Sequence, residues 1–236
     1  MHISYARFPS PAAMVLAAVL LAVGPLCSGA AAQAPKAPPA SEPAFELKGF
    51  RSARFGMTES EVREAARKDF AVAPGALKAT EHPTEGTRTL VAEVDNLLPG
   101  AGRAAVIYLL GATSAKLMQI NVVFGSPVDP QAETRQLAAA ALALQRTLLG
   151  QRYVEVVPQR DLVKPDGTFL KMPDGSLVAF SGRDGKGRQT NLRLIPPPGA
   201  EKDGKLDPAS RGGSLRLSYI ADPERPDVRG GRRPPF

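Results

Sequence analysis

From Met57 onward, apolar positions recur first at a helical period and then at a strand period, and the chain does this twice. In residues 58–70, Val62, Ala65, Ala66 and Phe70 fall on one helical face. Thr58 stands at the N-cap position with Glu61 three residues later, the pattern of a capping box, and Met57 and Val62 occupy the two positions of a hydrophobic staple. On the opposite face Glu59–Arg63 and Glu64–Lys68 are favourable i,i+4 pairs. A helix with a sharply defined first turn is therefore expected at 58–70. Three strand-like runs follow. In "TLVAEVD" (89–95), Leu90, Ala92 and Val94 alternate with Val91, Glu93 and Asp95. "RAAVIYLLG" (103–111) is almost wholly apolar. In "KLMQINVVF" (116–124), Met118, Ile120, Val122 and Phe124 share one face and Gln119 and Asn121 the other. Short turns containing "PGAG" and "GATS" separate these runs, which predicts antiparallel neighbours.

The second round opens at Asp129, a helix cap by its position, with Pro130 as the first helical residue. Leu137, Ala141, Leu144 and Leu148 form the apolar stripe and Gly150 ends it. "YVEVVP" then stands where "FAVAP" stood after the first helix, and Leu90-Val91-Ala92 recurs as Leu177-Val178-Ala179 in "SLVAFSG". "QTNLRLI" and "SLRLSYI" supply the second and third strands, and Asp184-Gly185 is a hairpin signal. The pattern predicts an α+β fold of tandem helix-plus-antiparallel-sheet repeats with the helices on one face of the sheet. The expected divisions are a signal peptide at 1–32, a Pro/Ala-rich linker at 33–46, a first α+β unit at 47–125, a second at 126–222, and a basic Pro/Gly/Arg tail at 223–236.

The leader changes the compartment. Met1 to Pro11 carries Arg7 and no acid, Ala12 to Leu26 is apolar, and the small residues Ala30, Ala32 and Ala34 follow. This is the order of a secretory signal, and cleavage fits after Ala32 or Ala34. The 15 apolar residues are too few to cross a bilayer, which takes roughly 20. Lipid attachment at Cys27 would call for a small residue just before it, and Leu26 stands there. Cys27 is the single cysteine, so the mature chain would have no disulfide, thiolate ligand or cysteine nucleophile. Export without disulfides suits a bacterial periplasm. Loss of Arg7 with the leader lowers the net charge from +7 to +6. That charge is dispersed, and "RGGRRPPF" at the end is the one basic run; export argues against a nucleic-acid role despite the high pI.

"GMTESEV" (56–62) resembles the Gly-Met-Thr-x-x-x-Val helix opening of the BamE-type (SmpA/OmlA) envelope proteins, and two such units in tandem resemble the architecture of the β-lactamase inhibitor proteins. "AARKDF" stands where the BamE-type pattern continues with Leu-Gly-x-Pro. The resemblance implies a small helix-plus-sheet unit and a protein-binding role, although fold alone does not transfer function.

Motifs of catalysis are sparse. His82 is the one histidine of the mature chain and sits in a loop-like "ATEHPTEG" with no paired nucleophile. Zinc needs several His or Cys ligands. "SGRDGKGR" lacks the phosphate-loop spacing and "TSAK" the S-x-x-K order. The Asp-Gly pairs at 166, 174, 184 and 203 lack the calcium-loop pattern and read as turns. No catalytic residue, metal or cofactor is assigned. The expectation is an exported, non-catalytic protein, periplasmic or secreted, that binds another protein or an envelope component. With helices on one sheet face, Gln119, Asn121, Arg193, Arg216 and Ser218 lie on the other, which is the candidate partner-binding face. The alternatives are a hydrolase with an unrecognised site, marked by converging carboxylates, and a small-ligand carrier, marked by a closed apolar cavity.

Overall fold

The computed structural model describes residues 43–73, 75–157, 170–202 and 205–230. The signal peptide, most of the linker, the Asp166 and Asp203 turns and the end of the basic tail lie outside these residues. The chain divides at Ser41, and the described residues belong to the compact unit that follows.

The elements run β1 (Gly49–Phe50), β2 (Ala53–Arg54), α1 (Glu59–Phe70), β3 (Lys78–Glu81), β4 (Arg88–Val94), β5 (Ala104–Leu110), β6 (Leu117–Gly125) and α2 (Thr134–Leu149). Then come β7 (Glu155–Val156), β8 (Leu170–Lys171), β9 (Leu177–Arg183), β10 (Gln189–Ile195), β11 (Glu201–Lys202), β12 (Lys205–Leu206) and β13 (Ser214–Ile220). The fold is α+β and mostly sheet. One antiparallel sheet runs β3-β4-β5-β6-β13-β10-β9-β7, with β8 also paired to β9.

Strand alternation divides the side chains as the sequence pattern implies. Leu90 and Ala92 of β4, Val106 and Tyr108 of β5, Ile120, Val122 and Phe124 of β6, Leu215 and Leu217 of β13, and Leu192 and Leu194 of β10 point into one core. Both helices supply the other side of that core, α1 through Val62, Ala65 and Ala66, and α2 through Leu137, Ala141 and Leu148.

The start of α1 follows the expected chemistry. Thr58 Oγ1 accepts from the Glu61 N–H, and Glu61 Oε2 accepts from the Thr58 N–H at 2.7 Å, closing the capping box. The Thr58 amide, and then its hydroxyl, holds the Glu61 carboxyl below the usual carboxylate range. Glu59 and Arg63 pair at 2.8 Å, and Ala71 ends the helix in the left-handed conformation. Thr58→Ala is expected to lower stability by about 0.5–2 kcal/mol through the lost cap. A shift of the denaturant midpoint at constant slope measures this. No shift would show that the first turn is held from elsewhere.

The second helix begins later than Asp129 and Pro130 suggest. Asp129 instead donates its N–H to the Gly125 carbonyl at 2.8 Å and accepts from Ala132, forming a turn. The helix starts at Thr134 after Glu133 and Gln136 close their own capping box. Its first N–H groups are taken by a distant loop, Thr134 to Ser210 at 2.8 Å and Arg135 to Pro208 at 3.0 Å. Those free donors would otherwise call for a local cap, so the tertiary partner moves the start. Gly150 ends the helix as expected, but in a right-handed conformation. The Asp184 turn does join a hairpin, β9 to β10. Its left-handed glycine is Gly187, and Asp184 Oδ1 fixes the loop by accepting from Lys186 and Arg188.

Candidate functional site

The sheet face away from the helices carries the residues that alternation leaves over. β13 lies between β6 and β10, and this order assembles the face into rows across strands. One row reads Asn121, Ser218, Asn191, Ser181 from β6 through β9. The next reads Val123, Arg216, Arg193, Val178, and on the other side lie Gln119, Ile220, Gln189 and Arg183. All five residues expected on the open face are therefore on it, on three adjacent strands. Towards β5 the same face carries apolar residues, Val91 and Ile107 half-buried and Leu109 and Val123 buried, with Thr89 and Glu93 beside them on β4.

The polar half is internally hydrogen-bonded. Gln119 Nε2 donates to Asn121 Oδ1 at 2.9 Å. Asn191 Oδ1 accepts from Ser181 Oγ at 2.9 Å and from Gln189 Nε2 at 3.1 Å. Such networks hold side chains in one arrangement when their members are satisfied. Gln119 and Ser218 are each only 8% exposed, although both are polar and on the outer face.

Both line a cavity of about 70 Å³ whose walls also include Asn191, Arg193 and Arg216, with Asp174 at the rim. Asp174 belongs to the turn between β8 and β9. There its Oδ1 accepts from the Ser176 hydroxyl at 2.7 Å and from the Ser176 N–H at 3.0 Å. The Ser176 hydroxyl is the main reason its carboxyl lies below the usual range, and Arg193 adds to this. Its Oδ2 stands 3.8 Å from Arg193 Nη1. Arg193 has a side chain only 14% exposed. Burial lowers its pKa from the ordinary value, and the neighbouring Arg216 pushes the same way, while Asp174 opposes both. An arginine remains charged at neutral pH under such shifts. The cavity therefore presents two cations and one anion.

Asn191 and Asp174 were not among the residues expected at this site, and neither were Ser176, Ile195 and Ile220, which also line it. Asn191 is two residues from Arg193 on the same strand, so the alternation that picked Arg193 also picks Asn191. Asp174 sits in a turn, and only the β8–β9 hairpin brings it over the sheet. The other chemical candidates lie elsewhere. His82 is exposed in the loop after β3, where Nδ1 accepts from the Glu85 N–H at 3.1 Å. Lys186 and Arg188 of "SGRDGKGR" pair with Glu46. Thr113 and Ser114 of "TSAK" donate their N–H groups to Asp227 at 2.9 and 2.8 Å, which fastens residues after β13 onto the β5–β6 turn. Among the described residues no three His, Cys, Asp or Glu side chains gather as metal ligands would, and no helix is long and apolar enough to cross a membrane. Compared with protein-family models, curated proteins and solved structures, the chain matches none.

Proposed function

We propose that this chain is an exported, non-catalytic envelope protein that binds another protein, or an envelope component, through the open face of its sheet. The leader supports export to the periplasm or beyond. The observation that carries the binding role is the make-up of the open face, where half-buried Val91 and Ile107 adjoin a pre-ordered polar patch with Arg193 and Arg216. Apolar area beside fixed polar groups is what a protein partner needs for both affinity and register. The cavity, at about 70 Å³, is far smaller than the roughly 300–1,000 Å³ of small-molecule sites. At this place on the sheet, that suits a protruding side chain better than a whole small molecule.

The chain also reads as two copies of one helix-plus-sheet unit. Along the sheet, β4-β5-β6 meets β13-β10-β9, so the strands of each half run outward from a central β6–β13 pair. Each half is preceded by its own helix. Leu90 and Leu177 both face the helices, and Val91 and Val178 both face away. This mirrored order is what a duplicated unit would produce, and it supports the BamE-type resemblance arranged in tandem.

The test is capture from envelope extract. The purified chain and Leu142→Lys, a change on the exposed side of α2, should retain the same partner. Ile107→Glu should lose it while keeping its far-UV spectrum. Equal capture by Ile107→Glu would move the binding surface off the open sheet.

A further inference from the structure

Arg193 and Arg216 are directly paired across β10 and β13. Like charges in that position destabilise a sheet. Arg193 is mostly buried and Asp174 lies near it at 3.8 Å. Arg216 is exposed, with no hydrogen-bond or ion-pair partner among the described residues. Among the described residues lining the cavity, Asp174 is the one carboxylate beside the two arginines, and it approaches Arg193 from the rim. Ser218 and Asn191 line the same cavity. A serine hydroxyl can donate, and the asparagine amide has two donors besides the oxygen already accepting from Ser181 and Gln189.

We propose that this cavity takes a carboxylate, an Asp or Glu side chain of the bound protein, gripped by Arg216 and Arg193 with Ser218 and Asn191 as further donors. A guanidinium matches the two oxygens of a carboxylate in geometry and charge. Asp174 is then a built-in competitor that occupies part of the site when no partner is present. Apolar residues of the face begin on the next strand, at Val123 opposite Arg216, and continue to Ile107 on β5. That spacing suits a protein ligand with apolar residues near its acidic one better than a lipid headgroup. The inference rests on the open face being a binding surface.

The experiment follows the Arg193 and Arg216 side-chain Nε–H resonances of the purified chain. The probes are acetyl-Ile-Glu-Ile-amide, its Gln counterpart, inorganic phosphate, and vesicles with and without phosphatidylglycerol. The Glu peptide should shift both resonances and the Gln peptide should shift neither. Arg216→Gln should weaken the Glu peptide at least about tenfold, the scale of one lost charge-assisted contact. Asp174→Asn keeps the oxygen that accepts from Ser176 and removes the competing charge, so it should tighten binding several-fold. Equal response to the Glu and Gln peptides would overturn the proposal. So would weaker binding in Asp174→Asn, or a response confined to phosphate or to anionic vesicles. Loss of the peptide effect with partner capture still sensitive to Ile107→Glu would remove the carboxylate site and leave the binding face. Capture insensitive to Ile107→Glu would remove the binding face and, with it, the role of the cavity in gripping a bound protein.

Discussion

Gly125→Ala is expected to lower the stability of this protein by about 2–4 kcal/mol. Gly125 closes β6 opposite Ser214, at the seam where the two halves of the sheet meet. Its φ of +77° is costly for any residue with a Cβ. An added Cβ would also lie 2.5 Å from the Gly213 carbonyl oxygen and 3.0 Å from a Leu137 methyl. That carbonyl accepts from the Ser126 N–H at 2.8 Å, so it cannot retreat without loosening the turn into α2. Left-handed strain contributes about 1 kcal/mol and overpacking about 1–3 kcal/mol. Gly187 separates the two causes. Its φ is also +77°, but nothing lies within 4 Å of its added Cβ, so Gly187→Ala should cost the strain alone. Denaturant midpoints for the two variants decide the point. Equal losses would mean that the contact with Gly213 and Leu137 carries no weight.

α1 and most of the long strands were legible from their periods, and β5 from an apolar run bounded by turns. The pattern in "QTNLRLI", for example, maps onto β10 residue for residue. The start of α2 was not, because Ser210 and Pro208 supply its partners from far along the chain. Nor was the bulge in β9, where the register slips beside Ala179. There Gln145, a polar residue within the apolar stripe of α2, donates to the Ala179 carbonyl at 2.6 Å. A buried carbonyl without a ladder partner needs such a donor, but nothing local announces it. The open face was legible by the same alternation, residue by residue. The cavity was not, because it depends on β13 entering between β6 and β10 and on a turn folding Asp174 over the sheet. Strand order is set by which apolar faces pair, not by the pattern within any one strand.

The halves share one core, and Phe180→Ala tests how tightly they are coupled. Phe180 is fully buried on β9, its ring 5.2 Å from that of Tyr153. An added Cβ at Gly182 would lie 2.8 Å from the Phe180 ring, so the ring is packed down to the neighbouring glycine. Truncation should cost about 3–5 kcal/mol. For a body of this size that is about 6–20 °C in melting temperature. Phe180 sits three strands from β6, the first strand of the other half. The β6–β13 ladder nevertheless pairs seven positions without a break, from Gly125–Ser214 to Gln119–Ile220. Separating the halves would open that ladder and expose Val122, Phe124, Leu215 and Leu217 together. Unfolding should therefore be all-or-none. The best-protected amides of β4 and β5 should then lose hydrogen-exchange protection by the same free energy as those of β9 and β10. If β4 and β5 kept their original protection in Phe180→Ala, the two halves would be separate folding units joined at an edge.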